Sequence, residues 1–253
     1  MKLPILEFDP NREALLNPTK LIQPHADMPA SCVLCFFQDV IDHLKSQGLL
    51  KEVTSLRCEM GRHPVYRFAT PVGDVALAHP GIGSPLAAGL MEEMIALGGR
   101  KFIACGGAGV LESTLDVGDV LVPTAAVRDE GTSYHYLPAS REVALQPDAI
   151  TVIEAGLRER HVSYRLVKTW TTDAFYRETP ARIAARKAEG CVCVEMETSA
   201  LCAVAQFRGV KFGQLLYSGD DLSGTDWDER NWHGRWTIRE KLTLLAAEIA
   251  LML

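Results

Sequence analysis

Residues 191–224, CVCVEMETSALCAVAQFRGVKFGQLLYSGDDLSG, hold the densest set of groups in this chain that could do chemistry. Glu195 and Glu197 flank Met196 in an otherwise apolar setting. A buried carboxylate without a partner is costly, so at least one of these acids calls for hydrogen-bond donors, and a polyol such as ribose supplies them. Asp220 and Asp221 follow Ser218 and Gly219 farther along. The elements between the two clusters position them. The apolar, β-branched run 191–194 reads as a buried strand. Residues 198–207 read as a helix with Leu201, Val204 and Ala205 on one face, closed by Gly209. Residues 211–217 read as the next strand, with the aspartates in the turn after it. Both acidic clusters then lie at the ends of neighbouring strands in a strand–helix–strand unit, where open α/β sheets bind ligands. Taken alone, the same acids would serve equally as solvated loop residues.

The rest of the chain supplies the frame. Its 253 residues, 23% charged and 47% hydrophobic, have the composition of an ordinary globular protein. A formal charge of -6 weighs against non-specific nucleic-acid binding. No apolar run approaches the roughly 20 residues that span a bilayer. The start, broken by Pro4 and acids, does not read as a secretory signal, so a cytoplasmic protein is expected. Of seven cysteines, Cys32 and Cys35 form a C-x-x-C inside SCVLCFF, a buried-strand run, and read as small buried hydrophobes. Residues 1–29 read as an irregular arm and 30–253 as one domain. Within it we expect a strand at 32–37, a helix through Val40, Ile41 and Leu44 stopped by Gly48, and a hairpin of 65–69 with 75–78. A glycine turn (Gly81, Gly83) precedes a helix over 86–97. The strand of KFIACGGAG (101–109) ends in a three-glycine loop whose backbone N–H groups suit an anion-binding concavity. A strand at 119–127, a helix at 148–160, a strand at 164–171 and a closing helix at 237–253 complete the pattern. TDWDERNWHGRW, with three tryptophans, reads as a loop over the site or a subunit interface.

VEMET followed by a helix, a strand and a serine–aspartate turn resembles the purine and uridine phosphorylase family, which also includes nucleoside hydrolases acting on methylthioadenosine. The stretch GIGSPLAAGLMEEMIALG matches the family's glycine turn, which includes Gly83, and its paired acids at Glu92 and Glu93. RDEGTSYHYLP is similar to the uridine-type members, and that similarity extends through the helix at 148–160 and the strand at 164–171. The resemblance implies a single α/β domain with a mixed, partly barrel-like sheet flanked by helices. It implies that Met196 and Glu197 hold the ribose hydroxyls with Glu195 in support, that Phe175 stacks on the base, and that Asp220 protonates it, with Asp221 one residue away as the alternative. The expected reaction is phosphorolysis of a nucleoside to free base and (deoxy)ribose 1-phosphate. Inorganic phosphate is the co-substrate, with no metal or other cofactor, no nucleic acid and no membrane, and the assembly is a homodimer or hexamer. Phosphate would meet the N–H groups of Gly106 and Gly107 and an arginine, Arg62, lent across a dimer interface. The chain departs from the family at three places. Ala104 and Gly107 replace an arginine and a hydroxyl residue. Phe36, Phe37 and Gln38 stand in place of Gly-Asp-Pro-x-Arg. Thr179 and Ala181 replace the glutamine and arginine that read uracil. A hydrolase using water and a non-catalytic nucleoside binder are the competing readings.

Overall fold

The structure is a computed structural model that describes residues 3–253. The first two residues of the expected arm lie outside it. The rest of that arm carries a 3-10 turn (Pro4–Leu6) and one short helix, α1 (Pro18–Leu21). The chain then runs β1 (Ser31–Cys35), α2 (Gln38–Ser46), β2 (Leu50–Cys58), β3 (Gly61–Thr70), β4 (Gly73–Ala78), α3 (Ser84–Leu97) and β5 (Lys101–Val110). It continues through β6 (Val120–Asp129), β7 (Glu142–Ala144), α4 (Pro147–Glu159), β8 (Tyr164–Thr172), α5 (Pro180–Ala188) and β9 (Cys191–Glu195). It ends with α6 (Thr198–Arg208), β10 (Lys211–Asp221) and α7 (Trp236–Met252).

All ten strands join one sheet. Strands β10, β6, β8, β9 and β5 follow one another, and β5 pairs back onto β10, so these five close a small barrel. From β5 the sheet also extends outward through β1, β4, β3 and β2. The partly barrel-like mixed sheet expected from the sequence is what the chain builds. β5 belongs to both parts, and Phe102, Ile103, Ala104 and Cys105 within it are completely buried. β1 is buried along its whole length, as strands covered on both faces must be, which explains the unbroken apolar run SCVLC. Cys32 and Cys35 are free buried thiols within it.

The helices end where the sequence provides left-handed backbone. Gly209 closes α6 at φ 72°, a conformation that a side chain with a Cβ resists. α7 lies across β1, β4 and β5 and buries Leu242, Ala246, Ala247, Ile249 and Ala250.

Several sequence-based expectations change. The three glycines of 106–109 do not form a loop, because β5 runs straight through them. Asp220 and Asp221 likewise belong to β10 rather than to a turn beyond it. β9 and β10 are not neighbours, since β5 stands between them. Besides the short α1 and β7, two longer elements went unread. β2 buries only Leu56 and is charged along much of its length, as an edge strand should be, which erases the apolar alternation. α5 has no buried residue at all, and its one local sign is Thr179 capping the N–H of Arg182 ahead of Pro180.

Glu92 is not a surface acid. It accepts from Arg208 Nε at 2.7 Å and Nη2 at 2.8 Å, tying α3 to α6. Their side chains are 8% and 19% exposed. Truncating one partner of a buried pair strands the other charge. Glu92→Ala should therefore cost ~3 kcal/mol of folding free energy, measured by denaturant unfolding. Glu93→Ala, at a partly exposed position, should cost under ~1 kcal/mol. Equal losses from the two substitutions would contradict the pairing.

Candidate active site

The sheet has a gap. Along one edge of β5 the pairing with β1 ends at Cys35↔Cys105, and the pairing with β9 begins only at Gly109↔Val194. Residues 106–108 therefore keep β10 on one side and no strand on the other. A cleft of about 320 Å³ opens at this gap, floored by Gly106, Gly107, Ala108 and Gly109. Glycine matters here for space: a Cβ on Gly107 would stand 3.2 Å from the Tyr217 ring, and one on Gly109 would stand 2.5 Å from Leu222.

On one wall, the end of β9 hands over to α6 through Glu195, Met196 and Glu197, and all three line the cleft. Glu195 is held entirely from within. Its Oε2 accepts the backbone N–H groups of Glu197 (2.8 Å) and Thr198 (2.7 Å), two of the donors that a helix N-terminus leaves free. Its Oε1 accepts the hydroxyls of Thr171 (2.6 Å) and Thr169 (3.3 Å). Burial pushes this carboxyl above its ordinary value, and the hydrogen bonds from Thr171, Glu197 and Thr198 offset only part of that rise. Glu197 is treated differently. Its one bond from the protein is the Gly83 N–H, which donates to Oε1 at 2.6 Å. Burial, reinforced by the charge of Glu195, pushes Glu197 up to about 8. The glycine turn thus supports Glu197 from behind, and Ser84 Oγ donates to the Met196 carbonyl at 2.7 Å. Gly83 itself is not part of the cleft lining.

The opposite wall is the end of β10. Ser218 pairs with Ala108 but Asp221 pairs with Val110, so β10 carries one extra residue there. Such a bulge re-aims side chains. Asp220 is turned to the cleft. Asp221 is turned away, ion-paired with Arg230 and accepting the Ser223 N–H at 2.7 Å. That geometry separates the two aspartates, which the sequence left ambiguous.

Two candidates are not brought to the cleft. Arg62 lies on the β2–β3 hairpin, paired with Glu52 at 2.5 Å, beside a separate cavity of about 300 Å³ that shares only Ile82 with the cleft. Phe175 is 49% exposed and packs on Tyr176, ring centroids 4.1 Å apart.

Other residues were missed. Arg239 of α7 lines the cleft beside Phe36 and Phe37, stacks over the Phe37 ring at 4.8 Å and pairs with Asp39 at 2.7 Å. Trp232 and His233 also line it, so the tryptophan-rich segment does pack over the site. Beyond Asp220 a second chamber of about 500 Å³ is lined by Glu178 and Trp227 among others. Burial and the charge of Asp220 push Glu178 up to about 7. Its position just after Phe175, in a loop feeding a Thr-Pro helix start, was the available signal. Among the described residues no group of three potential metal ligands is assembled, and no helix is long and apolar enough to cross a membrane.

Comparison with known proteins places this geometry in context. Residues 31–250 match the family model described as the phosphorylase superfamily. A guanosine phosphorylase of Halorubrum lacusprofundi is 29% identical over 142 residues, 56% of this chain and 59% of that protein. A uridine phosphorylase of Escherichia coli is 26% identical over 179 residues, 65% of this chain and 67% of that one. The matched part thus spans about three fifths to two thirds of the length of these relatives. Among solved structures, the purine nucleoside phosphorylase of Toxoplasma gondii superposes with a TM-score of 0.74 at 20% identity, covering 91% of this chain and 97% of that one. An AMP nucleosidase of Bacteroides thetaiotaomicron gives 0.72 at 23% identity, covering 90% and 89%.

The raised carboxyl of Glu197 makes a stability prediction. In the folded chain it keeps its proton up to about pH 8, against an ordinary value of 4.5. The folded state thus binds the extra proton, and its contribution is complete below about pH 4.5 and lost as pH rises through about 8. Glu197→Gln removes that loss. Its melting temperature, relative to wild type, should be higher at pH 9 than at pH 5 by about 3 °C or more. An unchanged difference at the two pH values would show that Glu197 is not the buried acid titrating there.

Proposed function

The chain belongs to the phosphorylase superfamily, and we propose that it cleaves the N-glycosidic bond of a nucleoside by phosphorolysis, yielding free base and (deoxy)ribose 1-phosphate. One observation carries this reading: Glu197 and Asp220, carried by different elements, face one cleft across a glycine floor. The names of the guanosine and uridine phosphorylases that the chain resembles support it.

The reaction assigns each acid a task. As the C–N bond breaks, the sugar takes on oxocarbenium character and the electron pair departs with the base. Glu197 hydrogen-bonds the ribose hydroxyls through Oε2, the oxygen that Gly83 leaves free, with Met196 against the sugar. Asp220 acts as general acid, giving its proton to a ring nitrogen so that the base leaves neutral. A phosphate oxygen then bonds to C1′. Arg239, beside Gly106 and Gly107, is the cleft's own cation for that phosphate. Arg62 from a neighbouring subunit is the second, which makes a dimer or larger assembly part of the proposal.

One observation favours a second reading, hydrolysis: both arginines already have acidic partners, Arg62 in Glu52 and Arg239 in Asp39. A panel of nucleosides, with and without phosphate, separates the two. We expect base release that depends on phosphate and is matched one for one by sugar 1-phosphate. Asp220→Asn should lower turnover of purine nucleosides by roughly 100-fold, the lower range for a lost general acid, and that of pyrimidine nucleosides by much less. Undiminished base release in phosphate-free buffer would establish water as the acceptor. Ligand binding with no release from any nucleoside would remove the catalytic reading.

A further inference from the structure

Asp220 is not loose in the cleft. Its Oδ2 accepts the indole N–H of Trp227 at 2.7 Å. The segment carrying this indole leaves β10 and is braced before it reaches α7. Asp221 and Asp228 exchange backbone hydrogen bonds of 2.8 and 3.0 Å. Arg230 pairs with Asp221 and donates to the Leu115 carbonyl at 2.9 Å. Farther on, the Tyr217 hydroxyl donates to the Trp232 carbonyl at 3.1 Å. Trp227 sits one residue from the Asp221–Asp228 bridge, so its indole is delivered by anchored backbone. The other carboxyl oxygen, Oδ1, lies over the cleft floor, where a Cβ on Gly109 would be 3.4 Å away.

We propose that Trp227 is a positioning residue for Asp220: its indole N–H holds Oδ2 and leaves Oδ1 as the oxygen that meets the ring nitrogen of the departing base. This rests on the N-glycosidic cleavage proposed above. A carboxyl free to rotate offers either oxygen, and a proton on the wrong one is not aimed at the base. With Oδ2 engaged by a donor, Oδ1 is the oxygen through which a proton is passed to the base. Once it has moved to the base, the same N–H stabilises the carboxylate left behind, since hydrogen bonds to ionised oxygens are the stronger kind. Nothing else in the described structure donates to Oδ2, and Trp227 is itself 60% exposed. Its removal therefore tests orientation with little cost to folding.

The experiment is a mutant cycle on the best nucleoside substrate of the wild-type enzyme, with Trp227→Phe, Asp220→Asn and the double variant. Trp227→Phe keeps an aromatic ring and removes the N–H. It should lower kcat about tenfold and leave KM within about twofold. In the Asp220→Asn background it should cause no further loss, because the group it positions has gone. The hydrogen bond is read separately from the 15N-labelled indole resonance of Trp227, which should move in Asp220→Ala. Losses that multiply in the double variant, a change confined to KM, or an indole resonance indifferent to Asp220 would each overturn the assignment while leaving the glycosidic reading intact. A wild-type protein that releases no base from any nucleoside would overturn both.

Discussion

The satisfied carboxylate of Glu195 is the interaction on which the site depends. A carboxyl buried to this extent is tolerable only when its oxygens are fully engaged. Here the donors come from the two neighbouring structures whose relation has to be fixed: the hydroxyls of β8 and the first free N–H groups of α6. One side chain therefore pins the barrel wall to the start of the helix. The Met196–Glu197 peptide between those anchors has nowhere to go but toward the cleft. Gly83 and Ser84 hold the same two residues from the other side, so the handover is clamped on both faces.

A second constraint acts at the level of the sheet. A strand that leaves one barrel neighbour before it meets the next exposes its own backbone over a few residues. β5 does so at 106–108, and the cleft is that gap. Side chains on the floor would fill it, which accounts for the small residues there. The bulge in β10 is the matching device on the far wall. By inserting one residue, it sends Asp220 and Asp221 to different tasks, one to the cleft and one to an ion pair that braces the following segment.

Much of this was legible in the residues, for reasons that are local. VEMET, the glycine turn and the helix stops at Gly48 and Gly209 are short-range signals, and strand and helix follow from them. The gap and the bulge are not local. Whether GGAG is a loop or a strand depends on which strands pair with it, and that is decided by β9 and β10, whose partner residues lie about 85 and 110 positions later. The same holds for Arg239 and Trp227. Nothing in a closing helix or a tryptophan-rich segment says which wall it will cover. Glu92 shows the converse, since two adjacent acids on a helix read alike until Arg208 is found opposite one of them.

The distribution of charge carries the final step. Glu197 and Glu178 are each pushed toward neutrality first by burial and then by another acid, Glu195 in one case and Asp220 in the other. The cleft and its adjoining chamber are therefore places where negative charge is already crowded. A neutral nucleoside offering hydroxyl and N–H donors relieves that crowding, whereas an anion adds to it. Any phosphate that enters must gain more from a cation than it loses to these acids. The nearest cation, Arg239, is held by Asp39, while its Nε lies buried without a partner. In the proposed reaction the Arg239–Asp39 pair would decide between phosphate and water: a guanidinium that turned from Asp39 to an entering oxyanion would give the cleft the counter-charge that phosphorolysis requires, and one that stayed would favour the uncharged acceptor.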